Sequence, residues 1–427
     1  MKRILKTTFL VLAAAIFRVD DSHSQQWTKL NTVSPPPGRR HATAIHDPQS
    51  NRMILFGGAT EGGTMNDVWS LALATLTWSN ITPAGGNTPA PRFGHTAIYD
   101  RQNHRMIVWS GQGSGFYNDA WAFDLTTHTW QELTASGVKP NQRYGSAAVY
   151  DPVNHSLIIA AGFTDAGRFN DTQSLRLASN EWVNLTPAGA KPVPRCLHTA
   201  SYDAMRRRMM LYAGQSSGAL NDFWAFDLTS NTWMELAFTP RPPGRFFSSS
   251  VVAGDQLLIF GGSSGSQSLN DTWAFDLEQN RWSEVSAAGT PPEKRNGHTA
   301  VYLPAQRAMM IFGGTGASLY NDVWVLENIA VGVKDDVHLP LRIALHQNYP
   351  NPFNPSTTIR FAVDRESLVT LQVFDLFGRI VATLADERLP AGTFTRAWNA
   401  RGLPSGPYYY RLRANGSSQT RMLILLK

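Results

Sequence analysis

The sequence predicts an all-β protein: a six-bladed β-propeller closed by an N-terminal strand and followed by a small Ig-like β-sandwich. Three observations predict it. A repeat of about 50 residues runs through most of the chain, the composition favours short strands, and the pattern changes near residue 330. Of the 427 residues, 42% are hydrophobic and only 16% charged, with 34 Gly, 25 Pro and 13 Trp. That balance suits short strands joined by tight turns and disfavours long helices. The length calls for one large and one small unit.

Self-comparison exposes the period. Arg opens a recurring element at residues 39, 92, 143, 195, 245 and 295, in segments such as PRFGHTAIYD (91–100) and PRCLHTASYD (194–203). An apolar run ending in small residues follows each time, from RMILFGG (52–58) to AMMIFGG (308–314). Asn-Asp then recurs at 66–67, 118–119, 170–171, 221–222, 270–271 and 321–322. A Trp stands two residues after the Asp at 69, 121, 224, 273 and 324, whereas the third copy has Gln173. A last short strand carries Trp78, Trp130, Trp182, Trp233 and Trp282, and the sixth copy lacks its own. Trp27, 51 residues before Trp78, supplies it in register. A ring that borrows its final strand from the opposite terminus has no open seam. Six blades over residues 25–330 follow.

Arg-x-Gly-His-Thr-Ala, Phe-Gly-Gly, Asn-Asp-x-Trp and Trp-x-x-Leu resemble kelch repeats and the related propeller of galactose oxidase. The resemblance implies four-stranded antiparallel blades with the first strand innermost. The paired Gly are expected at a turn where neighbouring blades crowd. The Trp residues are expected to fill the space between blades rather than to serve as sugar platforms, since a position repeated in every blade belongs to packing.

The two ends address the chain outward. Lys2, Arg3 and Lys6 precede an apolar stretch, Phe9 to Phe17, and a small-x-small site at Ser22-His23-Ser24, so residues 1–24 read as a secretory signal peptide. No other segment is apolar enough to span a bilayer, and no transmembrane segment is expected in the mature chain. Residues 331–342 read as a linker to a second domain over 343–427. Its strand-like runs, from TTIRFAV (357–363) to RMLILL (421–426), suggest the sandwich. Gln347–Thr357, Val373–Arg379, Leu403–Tyr410 and Arg421–Lys427 resemble the type A C-terminal sorting domain of type IX secretion substrates, with Pro407 where that family carries an aliphatic residue. This resemblance implies recognition by the outer-membrane type IX machinery, then release or attachment at the cell surface.

The net charge of +6 does not indicate nucleic acid. Residues 1–24 carry +2 and residues 335–427 carry +4, leaving 23 charges of each sign on 25–334. A neutral propeller has no bulk basic field. Cys196 is the only cysteine, so the fold has no internal disulfide.

Strands alternate direction within a blade, so the loops after Gly-Gly and those before each Arg emerge on one face, the expected binding surface. Those loops are short and contain no insertion that would form a lid. An Arg in every blade is expected to pair with a repeat Asp or with loop carbonyls, while a subset, drawn from Arg92, Arg143, Arg195, Arg245 and Arg295, is expected to reach a ligand at the channel mouth. Phe116, Tyr117, Phe163, Phe169 and Tyr320 are expected at loop tips as the principal ligand-reading groups. His95, His198 and His298 occupy the same position in alternate blades, with Ala42, Ser146 and Ser248 in the others. That invites a metal site, yet no carboxylate recurs beside them, and hydrogen-bonded histidines within the blades are the preferred reading. No nucleophile elbow, phosphate loop or Tyr–Cys pairing for copper is present. No catalytic residue, metal or cofactor is therefore assigned. The sequence favours a secreted or surface-displayed binding protein for a glycan or protein. A carbohydrate-active enzyme of mutarotase, lyase or oxidase type is the alternative.

Overall fold

The computed structural model describes residues 25–329, 343–345, 348, 350–363, 365–376, 378–390, 392–414 and 417–426. The signal peptide and linker predicted above lie outside the described residues. Contacts divide the chain into two compact units, Met1–Gly332 and Val333–Lys427.

The first unit holds six antiparallel sheets. Blade 1 pairs Thr43–Asp47, Arg52–Thr60, Gly63–Ala72 and Thr77–Asn80 in chain order. Blades 2 to 5 repeat that order, beginning at Thr96–Asp100, Ala147–Asp151, Thr199–Asp203 and Ser249–Ala253. Blade 6 takes Thr299–Leu303, Ala308–Phe312 and Val323–Glu327 from the end of the repeat, and its outer strand, Gln26–Leu30, from the beginning. Trp27 lies opposite Leu326 in that pairing, so the ring closes where the sequence predicted. The first strands of adjacent blades lie against one another around the ring, which makes them innermost.

The core is six interblade layers rather than one centre. Each apolar cluster draws on two neighbours: Ile54, Phe56, Met106 and Val108 join blades 1 and 2, and Met53, Leu55, Met310 and Phe312 join blades 1 and 6. The tryptophan of each outer strand packs toward the preceding blade. Trp130 meets Phe56 at 4.9 Å, Trp78 meets Phe312 at 5.1 Å and Trp27 meets Phe260 at 4.8 Å. Large rings fill these wedges because sheets radiating from an axis diverge outward.

The Gly-Gly positions differ from expectation. In blades 1, 3, 4 and 5 they form a β-bulge within the second strand rather than a turn, with the register slipping between Phe56 and Gly58 and again between Phe260 and Gly262, whereas in blades 2 and 6 the strand ends at Trp109 and Phe312, just before the pair. The second position is always Gly, with φ from 93° to 121°. A Cβ on Gly58 would stand 3.0 Å from the Arg40 carbonyl oxygen and 2.8 Å from Ala42 Cβ. Two residues oppose one at such a bulge and the strand bends, here at the rim of the ring. The short strand Ser136–Gly137, which adds in parallel to the outer strand of blade 3, also had no counterpart in the sequence reading.

The second unit is a sandwich. A three-stranded sheet orders Ile343–Leu345, Ser356–Val363 and Gly392–Asn399; a four-stranded sheet orders Ile380–Leu389, Ser367–Phe374, Gly406–Ala414 and Ser417–Leu425. Their inner faces share one core, including Ile359, Phe361, Leu371, Tyr410 and Leu423. The proline-rich segment is pinned to it: Phe353 packs at a tilt against Trp398, with ring centroids 5.5 Å apart, and the Asn348 side-chain amide donates to Thr357 Oγ1 at 2.9 Å.

Replacing Trp27 removes the ring that seals blade 6 against blade 5. Trp27→Ala is expected to cost about 3–5 kcal/mol, read as a lowered denaturant midpoint. Met234→Ala, on an exposed site of an outer strand, is expected to change stability by no more than about 0.5 kcal/mol.

Candidate ligand-binding face

Each repeat Arg is a cross-link between blades. Its backbone N–H donates to the residue before Asn-Asp in the preceding blade, as Arg92 to Met65 and Arg143 to Tyr117, and Arg39 to Tyr320 closes the circle. Its carbonyl accepts from the second Gly of that same blade, as Arg92 from Gly58. The side chain turns back into its own blade. Arg92 Nη1 and Nη2 reach the two carboxylate oxygens of Asp119 at 2.7 and 2.8 Å, Nη1 also donates to the Ser110 carbonyl at 3.0 Å, and Nε donates to the Ala90 carbonyl at 3.0 Å. The same set recurs at Arg39–Asp67, Arg143–Asp171, Arg195–Asp222, Arg245–Asp271 and Arg295–Asp322.

The residue two beyond each Asp completes the pair. Trp121 Nε1 donates to Asp119 Oδ2 at 2.7 Å, and Trp69, Trp224, Trp273 and Trp324 do likewise. In blade 3 the Gln173 amide takes this place at 3.1 Å. Burial opposes the charge on Asp119, Asp222, Asp271 and Asp322, but the arginine hydrogen bonds and charge outweigh it and hold all four below the ordinary carboxylate value.

This arrangement corrects one expectation. Arg92, Arg143, Arg195, Arg245 and Arg295 are at most 1% exposed. Their donors are spent inside the blade, so these side chains hold the scaffold and do not face a ligand.

The aromatic residues divide into two groups. Tyr117, Phe169 and Tyr320, each immediately before Asn-Asp, lie at the bases of their hairpins rather than at the tips. Their rings cover the guanidinium groups of Arg92, Arg143 and Arg295 at 4.5, 4.1 and 4.3 Å. Phe116 and Phe163 belong to a second group with Phe93 and Tyr144, which sequence reasoning missed. Tyr144 lies 5.9 Å from both Phe93 and Phe163, and Phe116 lies 6.2 Å from Tyr144 and 6.3 Å from Phe163. All four are half-buried, and the Arg168 guanidinium sits 5.5 Å over Phe163.

The missed pair occupies a collar. The residue after each Arg bridges to the residue after each Gly: Arg40 to Ala59, Phe93 to Gln112, Tyr144 to Phe163, Cys196 to Gln215, Phe246 to Ser263 and Asn296 to Thr315. These positions vary from blade to blade, which is the signal that could have found them. Within the collar, one backbone hydrogen bond per blade runs in a closed circle through His41, Gly94, Gly145, Leu197, Phe247 and Gly297. All six adopt positive φ, between 56° and 66°.

A cavity of about 110 Å³ lies at this circle, lined by residues including His41, His95, His198, Phe247 and His298. His95 Nε2 lies 2.7 Å from Thr43 Oγ1 and His298 Nε2 2.7 Å from Ser249 Oγ, each reaching the preceding blade. Among the described residues no three His, Cys, Asp or Glu converge to hold a metal ion. Burial first, and a nearby arginine charge second, push His41, His95, His198 and His298 down to about 3, so the mouth is lined by neutral imidazoles. Burial likewise raises the Cys196 thiol, against the influence of Arg168.

Comparison with known proteins adds two family matches. The family model described as KLHDC2/KLHL20/DRC7 Kelch-repeats domain matches residues 13–202 and 154–329, and that of the secretion system C-terminal sorting domain matches 347–426. The chain is 30% identical over 262 residues to multiple epidermal growth factor-like domains protein 8 of Mus musculus, covering 56% of this chain and 9% of that protein. It is 30% identical over 270 residues to putative adagio-like protein 2 of Oryza sativa subsp. japonica, covering 57% and 41%. The chain thus spans less than half the length of either relative. The solved structure titled "Structure of YjhT" superposes with a TM-score of 0.55 at 16% identity, over 72% of this chain and 98% of that one, a likeness of fold. The type IX sorting domain at the C-terminus supports export, with a secreted or cell-surface location, and engagement of the secretion machinery.

Two outcomes follow from the ion pairs and the buried imidazoles. Asp222→Asn leaves the Arg195 charge buried without its partner and is expected to cost about 3–5 kcal/mol, measured by denaturant unfolding; a loss below about 1 kcal/mol would contradict the cross-link. Each of the four imidazoles takes up its proton near 6.5 when unfolded but only near 3 when folded. Folding therefore excludes protons between those values, and stability falls as pH drops below 6.5. The paired aspartates add to the loss at lower pH. The melting temperature is expected to be level from about pH 8 to 7 and to fall progressively below about pH 6, and a calorimetric profile flat to about pH 4 would refute it.

Proposed function

We propose, on the premise that this chain belongs to the kelch-repeat family, that it is a secreted or surface-displayed binding protein whose collar face engages an extracellular glycan or protein. An N-terminal signal would deliver the chain to the periplasm before type IX export, and mass spectrometry of the exported protein would reveal its new N-terminus.

The observation that carries the reading is the half-exposed aromatic arc of Phe93, Phe116, Tyr144 and Phe163 beside Arg168. Most other aromatic rings of the propeller fill the wedges between blades or cover the repeat arginines. On this arc they gather at positions that the repeat leaves free to vary. Flat apolar rings with a cation at their edge suit the C–H face of a sugar or an apolar protein loop. The hairpins around them are short, so little chain has to be ordered when a ligand docks.

A glycan array and a panel of envelope proteins, probed with the full mature chain alongside a carbohydrate turnover assay, test this reading. Phe163→Ala and Tyr144→Ala are expected to weaken the ligand found by at least about tenfold, or 1.4 kcal/mol. Tyr117→Ala, Phe169→Ala and Tyr320→Ala, which uncover scaffold guanidinium groups, are expected to lower stability more than affinity. Turnover without array or protein binding would favour the enzymatic alternative.

A further inference from the structure

The four-stranded sheet of the C-terminal domain has an outward face that changes character along its length. Beyond exposed Leu368, which lies opposite Arg388 at one edge, Thr370 lies opposite Arg413, and Arg413 opposite Ser418. The next row runs Gln372, Arg411, Thr420. Such polar rows are what an antiparallel sheet normally shows to water. At the other end, Ile380 lies opposite Phe374, Phe374 opposite Tyr409, and Tyr409 opposite Met422, so one apolar row crosses all four strands in register. Pro407 lies opposite Ile424 in the row beyond.

This row is open to solvent. Ile380 is 56% exposed, Met422 44% and Tyr409 39%, and Leu376 in the adjoining turn is 62% exposed. Inward residues of the same strands, Val373, Tyr410 and Leu423, are fully buried. The core therefore does not need the outer row. Contiguous exposed apolar surface with aromatic and Met side chains marks an interaction site.

We infer that the row Ile380–Phe374–Tyr409–Met422 is the surface through which the export machinery grips this domain. The inference rests on the sorting-domain match, because docking on that machinery is the task such a domain performs. Charge defines the partner further. Arg411 stands 5.0 Å over the Phe374 ring and Arg413 is exposed in the polar row, whereas Asp375, beside the apolar row, is already paired with Arg379 at 2.7 Å. The complementary surface is an apolar strip on a protein, edged by carboxylates on the side facing Arg411 and Arg413.

The experiment uses the full chain expressed in a cell competent for type IX secretion, with immunoblots of periplasmic, surface and medium fractions. Ile380→Glu and Tyr409→Glu are expected to lower the exported-to-retained ratio at least about tenfold, while Thr370→Glu, at the polar end of the same face, exports as the parent chain does. Limited proteolysis of retained protein shows whether the domain is folded; should the Glu variants unfold, Ile380→Thr and Tyr409→Ser decide. Normal export of the folded row variants overturns the inference. That includes the case in which the row instead mediates self-association, seen as a dimer lost in the variants by sedimentation. Deleting residues 343–427 separates the two levels. If the deletion blocks export and the row variants do not, only the surface assignment fails; if the deletion exports normally, the sorting role fails with it.

Discussion

The propeller depends on an arginine that is charged, buried and shared. Taking a guanidinium out of water costs several kcal/mol, and only a full set of partners offsets it. Here the set is complete: a bidentate carboxylate and two carbonyls within one blade. Meanwhile the backbone of the same residue bonds to the blade before it. One residue thus fixes how a blade is built and where it stands relative to its neighbour. The six repetitions form a closed circuit, and Arg39 returns it to blade 6. An open chain of blades would leave one such residue with its interblade bonds unmade.

Periodicity made the architecture legible because nearly every repeated residue serves this circuit or the wedges beside it. Asn-Asp-x-Trp resolves into distinct jobs: Asn118 holds the next loop through the Pro140 carbonyl, Asp119 receives Arg92, and Trp121 donates to Asp119. Gln173 shows that the third job requires an N–H donor rather than an indole. Trp27 was legible as a member of blade 6 for the same reason, since its spacing matched a position whose ring must fill a wedge. The bulge at Gly58 was not, because a positive φ suits a turn and a bulge equally, and only the approach of the Arg40 carbonyl decides between them.

The residues we propose for recognition were not legible in the sequence, and the cause is the converse one. A position constant through six blades is constrained by packing, so the repeated Arg, however well placed near the channel mouth, is consumed by the scaffold. Tyr117, Phe169 and Tyr320 went the same way, as covers for that Arg. The collar, where we propose recognition, sets Phe93 and Tyr144 against Arg40, Cys196, Phe246 and Asn296 at the equivalent positions. These residues share a place in the fold without sharing chemistry. Their side chains carry no periodic signal.

The same division between constrained and free positions separates the two faces of the sorting domain. Val373 and Tyr410 must be apolar to bury the sandwich core, and alternation alone identifies them. Phe374 and Tyr409, one residue away on the same strands, point outward, where folding asks only for solubility. An apolar choice there adds exposed hydrophobic surface and contributes nothing to the core, and it recurs in register across four strands. In the propeller the free positions gather aromatic rings at the collar; in the sandwich they gather them at one end of a sheet. In both domains the surfaces we propose for contact are built from residues that the fold does not require.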